Sequence, residues 1–424
     1  MREVIVAQAL ALCLSLGLAT PVRSQDDGSI GTTAASLLDF ARGRNPEYAM
    51  LQSEADAASQ RIVAAGALAD PRLLVELRDI TRFGEQNPTL SPARVGSTRY
   101  LLTQELPWFG KRGLKREIAE FEAESARGKA AGTWSEVAAK IKTAHAQRYY
   151  LDRNLRLTRE ILDLIRQLEK IALLRYGSGL AAQQDVIRAQ IEHTGVQGDL
   201  VALEGENRQM AARLNSLLAR PPAAPLARPE ILPPLPAPTK LDYAALEDRV
   251  RARNPLLFAE ESRLKAAEKS RDLSFRNRFP DFIVGVGPIQ YQNAIKEWEL
   301  MVELNIPLQQ SSRRAQERES EAMLSAAKAR KEALANQVLG ELAENLAAIE
   351  AARENERLAT TGLLPQAELT FRSALAGYRS GKVDFATLLE AQRKIREAGQ
   401  KEIKAQSEAQ IRLAEVERLL GEDL

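Results

Sequence analysis

The chain has 424 residues, and its 59 Lys and Arg nearly balance 57 Asp and Glu. That balance excludes the basic excess of a nucleic-acid binder. Charged residues make up 27% and aromatics only 5%, and Ala, Leu, Glu, Arg, Lys and Gln fill long stretches. This composition favours long helices or coiled coils over a compact mixed fold. Mean hydropathy is −0.30, and beyond the extreme N terminus no apolar run approaches the roughly 18 residues of a membrane-spanning helix.

Residues 1–24 read as a signal peptide. Arg2 gives a short charged region, which Glu3 offsets, and Val4 to Ala19 is almost wholly apolar. Val22 and Ser24 then offer the −3 and −1 positions of a cleavage site before Gln25. An uncleaved anchor helix is the alternative, and the polar stretch from Gln25 to Thr33 argues for removal. The only cysteine, Cys13, lies inside the apolar run, with Leu12 where a lipobox needs a small residue. The expectation is a mature chain that is not lipid-anchored and has neither a disulfide nor a thiolate metal site.

Downstream, the sequence predicts one order of elements twice. A helix comes first, over Thr33–Leu68 in residues 25–220 and over Asp242–Leu273 in residues 240–424. Asn45-Pro46 and Asn254-Pro255 interrupt it at matching places. Two short strands follow, each pair ending in a matching proline, Pro107 or Pro307. The first half offers Arg72–Ile80 and Arg99–Leu106 around a long polar loop, with Gln104 on the otherwise apolar face of Leu102 and Leu106. The second half offers Asp281–Tyr291 and then a strand beginning at Trp298. There Trp298, Leu300, Val302, Leu304 and Ile306 alternate with Glu299, Met301, Glu303 and Asn305, which is period two. These lengths suit tilted strands crossing a bilayer, which needs about 9–11 residues.

A rod follows the strands. From Gly110 to Tyr176 there is no proline, and Val137, Ile141, Ala144, Leu151, Leu155, Leu162, Ile165, Leu168 and Ala172 keep coiled-coil spacing. At 1.5 Å rise such a helix runs about 100 Å, too long for the core of a globular domain. Leu339, Leu342, Leu346 and Ile349 continue the pattern in the second half. The turns Tyr176-Gly177-Ser178-Gly179 and Tyr378-Arg379-Ser380-Gly381 then break the rods, and a last helix runs back toward Leu218 or Leu424. Between the halves, residues 221–239 hold eight prolines and form a linker that is neither helix nor central strand.

This order resembles the TolC family of outer-membrane efflux proteins across nearly the whole mature chain. The residues that carry the resemblance are the paired Asn-Pro steps, Gln104-Glu105-Leu106-Pro107-Trp108-Phe109-Gly110-Lys111-Arg112, the two glycine turns, and Leu214-Asn215-Ser216-Leu217-Leu218. The resemblance implies a mainly α fold with a small β part. Long helices would form a periplasmic coiled-coil barrel. Four transmembrane strands per protomer would complete a twelve-stranded barrel in a homotrimer. Physics agrees, because four strands cannot close a pore alone and open edges are not tolerated in lipid.

The function so implied is a passive exit duct in outer-membrane lipid, served by a periplasmic adaptor (membrane fusion protein) and an inner-membrane RND-type transporter. The Pro-Trp-Phe-Gly-Lys-Arg stretch looks more like members serving heavy-metal cation pumps. A type I secretion duct and a pore-less periplasmic scaffold are the alternatives. No cofactor is expected. His145 and His193 lack flanking ligand patterns, no P-loop occurs, and no catalytic triad has supporting context, so the chain reads as no enzyme.

The resemblance also places candidate sites. Trp108, Phe109 and Trp298 fall where a membrane interface is expected, although Trp108 also suits simple packing in a turn. Gly110, Lys111 and Arg112 are expected to form the bend that starts the rod. Arg175, Gly177, Gly179, Leu180 and Gly381 mark tips that would meet the adaptor, besides capping helices. The family's paired gate aspartates fall at Thr387 and Glu390, so that pattern is half kept, with Asp384 nearby. Three copies of Glu390 would make an anionic ring; the plain alternative is a solvated helical glutamate. In the first half Asp185 and Arg188 occupy the matching faces and suit an i,i+3 pair.

Overall fold

A computed structural model describes residues 30–81 and 88–424. The expected leader, with Cys13, lies outside the described residues. The first helix of each half is broken in two, as α1 (Ala34–Arg42) and α2 (Pro46–Gly66), and later as α5 (Tyr243–Arg253) and α6 (Pro255–Arg276).

The break has the same construction each time. The Asn45 side-chain oxygen accepts the Tyr48 N–H, while its amide donates to the Leu217 carbonyl at 3.0 Å. Asn254 accepts from Leu256 and Leu257 and donates to the Leu419 carbonyl at 2.8 Å. Proline at the first helical position needs no partner for its missing N–H. Each asparagine therefore starts one helix and clamps it to the end of the last helix in its half. Both are buried, so Asn254→Ala leaves a helix start uncapped and a carbonyl unmet. We expect a loss of about 1–3 kcal/mol, read as a lower thermal midpoint of the purified protein.

The strands form one antiparallel sheet in the order β1 (Arg72–Arg78), β2 (Ser97–Leu106), β3 (Phe282–Tyr291), β4 (Ala294–Leu304). Leu73, Leu102, Val286 and Leu300 lie in register across it, and all four are exposed. Exposed apolar rows on one face are the pattern of a lipid-facing barrel wall. Gln104 shares that face but turns its amide to the Ala69 carbonyl at 2.7 Å, so its polarity is met locally. On the opposite face Arg99 pairs with Glu299 and Glu76.

Strand bounds differ from expectation at both ends of β4, which stops at Leu304, and at one end of each other strand, by a single residue in β3. β4 begins at Ala294, so Trp298 sits within the strand, opposite Pro288, and does not begin it. Lys296 and Glu297 hide the earlier part of this strand from a search for apolar alternation. β1 ends at Arg78 because Asp79 takes φ +51° and its carbonyl accepts the Gly96 N–H. β2 starts two residues early, since Ser97 and Thr98 pair with Arg78 and Leu77.

The rods rise from the sheet. α3 (Lys111–Gly177) is one helix of 67 residues, and all nine expected seam residues from Val137 to Ala172 are buried. α4 (Gln183–Leu217) returns beside it. In the second half α7 (Gln310–Leu358) does not run through to its tip. A π-helical turn, Ala359–Leu363, separates it from α8 (Leu364–Arg379), and α9 (Phe385–Leu420) returns. Pro365 explains the widening. It has no N–H for the Thr361 carbonyl and crowds it, so the Leu364 N–H bonds the Ala359 carbonyl instead.

The proline-rich segment is pinned along the rods. Arg148 holds the carbonyls of Leu226 and Ala227, Asn215 holds those of Pro222 and Ala224, and Arg353 holds that of Pro236.

Candidate functional site: the wall and its inner tips

Near the sheet the wall has four helices side by side: α2 packs on α3, α3 on α6, and α6 on α7. One groove of about 980 Å³ touches all four. A hollow shared by four helices in a row lies on the concave face of a curved wall. Its charges are of both signs, with Glu54, Glu122 and Glu319 against Arg61, Lys129 and Arg263.

At the junction of sheet and rods, Trp108 is half-buried and stacks on Phe279 and Phe282 at ring distances of 5.1 and 5.5 Å. It packs into the turn. Phe109 and Trp298, by contrast, are 80% and 73% exposed. Gly110 takes φ +86°, which starts α3 sharply. Lys111 is buried and donates to Asp281 at 2.8 Å and to the Phe279 carbonyl at 3.0 Å. Arg112 holds the Gly66 carbonyl. The Lys111–Asp281 pair was invisible in the sequence, because its members are far apart and the motif that holds Lys111 says nothing of Asp281.

Both tips are Schellman turns of one design. Gly179 and Gly381 take φ +71° and +73°, a backbone region where a Cβ is strained. The Leu180 N–H reaches the Arg175 carbonyl and the Lys382 N–H reaches that of Gly377, both at 2.8 Å. Gly177 has no such requirement: a Cβ there would meet nothing within 4 Å. Leu180 is 67% exposed.

Arg175 joins the two tips. Its Nη1 donates to the Arg379 carbonyl at 2.7 Å, its Nη2 to the Leu180 carbonyl at 3.1 Å, and its guanidinium lies 4.9 Å from the Tyr378 ring centre. Tyr378 in turn donates its hydroxyl to Asp185 at 3.3 Å. Burial first, and then the Asp185 charge, push the Tyr378 phenol up to about 12. Asp185 therefore serves the second tip, and its expected pairing with Arg188 does not form. Arg188 lies near Asp384 and helps hold that carboxyl below its usual range, after the larger effect of its hydrogen bonds from Thr387.

Within one chain Thr387 and Arg188 meet around Asp384, while Asp185 and Glu390 are engaged elsewhere. Asp384 caps α9 by accepting the Thr387 N–H at 2.8 Å. Glu390 lies on the next turns, exposed, 3.6 Å from Lys394. The sequence used Tyr378 only as a landmark; its repeat partner Tyr176 is exposed, so the repeat did not reveal its contact with Asp185.

A membrane-length sheet with one apolar face, continuous with rods of about 100 Å, is the protomer of an outer-membrane channel. The outer membrane efflux protein profile matches residues 37–220 and 246–422, and this chain belongs to that family. It is 23% identical over 396 residues to the cobalt-zinc-cadmium resistance protein CzcC of Cupriavidus metallidurans, covering 92% of this chain and 90% of that one. Among solved structures, the outer-membrane channel OprN superposes with a TM-score of 0.77 at 20% identity, over 92% of this chain and 89% of that one. CusC gives 0.79 at 16%, over 93% of each chain. VceC of Vibrio cholerae gives 0.79 at 18%, over 92% and 96%. The fold is the mainly helical, TolC-like one that the family resemblance implies.

Proposed function

We propose that three copies of this chain close into one passive exit duct, each giving four strands to a common barrel and its rods to a hollow periplasmic cylinder. An inner-membrane RND-type transporter would drive the flow and a periplasmic adaptor would dock on the tips around Gly179, Leu180 and Gly381. The observation that carries the reading is the exposed apolar row Leu73–Leu102–Val286–Leu300 on a sheet whose two edges are free among the described residues. Such a sheet suits lipid, and only closure with other copies meets its edges. Likeness to the cobalt-zinc-cadmium resistance protein supports heavy-metal cations as cargo. Residues 1–24 would be removed on export, leaving two repeats joined by the 221–239 linker.

Planar-bilayer conductance of the mature protein, with its mass measured in detergent, tests the duct. A conducting trimer is expected; a non-conducting monomer overturns it. Loss of the chain should raise host sensitivity to cobalt, zinc and cadmium; unchanged sensitivity overturns the metal cargo and leaves the duct standing. For the gate, Glu390→Gln should reduce block by divalent cations severalfold if the side chain rings the pore. Unchanged block would make Glu390 a solvated partner of Lys394.

A further inference from the structure

At the throat, where sheet meets rods, there is a second hollow of about 310 Å³. Asn277 and Gln316 line both hollows, so it continues the concave groove upward. Two cations and one carboxylate reach it: Lys111, Arg313 and Asp281. Asp281 is already committed, to Lys111 and to the Trp108 N–H at 2.7 Å. The nearby Glu317 is taken by Arg278 on both its oxygens. Arg313 makes no ion pair among the described residues, and its charge reaches Glu317 only at longer range.

Arg313 is also under-used as a donor. One nitrogen, Nη1, donates to the Asn277 carbonyl, while Nε has no hydrogen-bond partner among the described residues. Nε is shielded from solvent, so Nη2, with no hydrogen bond among the described residues, is the charged donor left to meet an oxyanion. Asn305 and Ser312 add neutral donors on the lining. The start of α7, which has no side-chain cap, adds the positive end of a helix of 49 residues. The one carboxylate on the lining, Asp281, is already neutralised by Lys111 through Oδ1, which leaves the hollow with a net positive charge.

We propose that the hollow is an oxyanion site on the lumenal wall, taking inorganic phosphate or a small carboxylate from the duct contents, with Arg313 as its anchor. The lumenal placement rests on the duct reading above. In a closed assembly the site repeats around the throat and makes a cationic collar between the membrane barrel and the mixed-charge groove below it.

The test is inorganic phosphate binding to the detergent-purified assembly, by phosphorus NMR line broadening and calorimetry, beside bilayer conductance of the same sample. Arg313→Gln should weaken binding at least tenfold. Ser312→Asp, which leaves Arg313 in place and puts a carboxylate on the lining, should do the same. Conducting protein that binds no phosphate, or binding that neither variant weakens, overturns the site and spares the duct. Variant-sensitive binding in protein that never conducts supports the site and sinks the duct. Co-purified phospholipid that is lost in Arg313→Gln would make the occupant a lipid headgroup and overturn the soluble-anion assignment.

Discussion

Gly287→Ala is expected to empty the outer membrane of this protein. A Cβ at position 287 would sit 1.7 Å from the Tyr100 carbonyl oxygen, 2.7 Å from its carbon and 2.9 Å from the Leu101 Cα. All three are backbone atoms of the neighbouring strand, so no rotamer change relieves the clash. The contact falls where β2 meets β3, the seam that joins the two repeats in the sheet. The two strands would have to part, and the penalty should exceed the roughly 4–5 kcal/mol that marks exceptional single substitutions. Oligomer yield in outer-membrane fractions, by gel and immunoblot, is the measurement. Gly177→Ala is the control, since its Cβ meets open space, and it should insert normally. Normal yield of Gly287→Ala would overturn the β2–β3 register.

Arg175→Ala is expected to open the tips without unfolding the rods. It removes two hydrogen bonds from a charged donor, one of which crosses to the other tip, and the contact with the Tyr378 ring. Charged hydrogen bonds contribute about 1.5–3 kcal/mol each where they are shielded. Arg175 is half-buried, and solvent screening argues for the lower end. A shift of about 1.5–3 kcal/mol is roughly a ten- to hundredfold change in the balance of closed and open tips. Single-channel open probability should rise accordingly, with helix content by circular dichroism unchanged. Tyr378→Phe removes only the hydroxyl bond to Asp185, worth about 1 kcal/mol, and should give a smaller rise of about fivefold. If neither variant changes open probability, the tips are not the closure.

The Tyr378 link also has a pH signature. Its phenol is pushed up to about 12 by burial and then by Asp185, against about 10 for a free tyrosine. A raised folded value favours the protonated form, so the link is at full strength below pH 10. It weakens as pH rises from about 10 through 12, when the phenol ionises beside a carboxylate. Wild-type channels should open over that range and Tyr378→Phe channels should not show the step.

Much of this arrangement was legible from residue pattern alone. The rod seam could be read because one helix buries one stripe, and burial then follows spacing directly. The Asn-Pro breaks could be read because they occur twice. What escaped notice depended on distant or backbone partners. Trp298 looked like a strand start because the charges at Lys296 and Glu297 mask pairing that is set by the backbone of β3. Pro365 breaks the second rod, yet the apolar pattern of α7 continues into α8 and does not register the break. Asp384 was read only as an acid near the gate positions, and its bond from the Thr387 N–H, which caps α9, was not foreseen although any N-terminal aspartate can take that role.

Among the described residues the sheet has two unpaired borders, β1 on one side and β4 on the other, with a consequence for how the protein comes to exist. A lone chain has no acceptable state within a bilayer, because each border would carry unmet N–H and C=O groups into hydrocarbon. Its fate is therefore governed by mass action: copies must encounter one another before or during insertion, and the inserted amount should climb more steeply than linearly with the supply of chains. Denaturation midpoints should likewise move with the quantity of protein in the tube, and a chain made too sparingly would linger as a water-exposed precursor open to proteolysis.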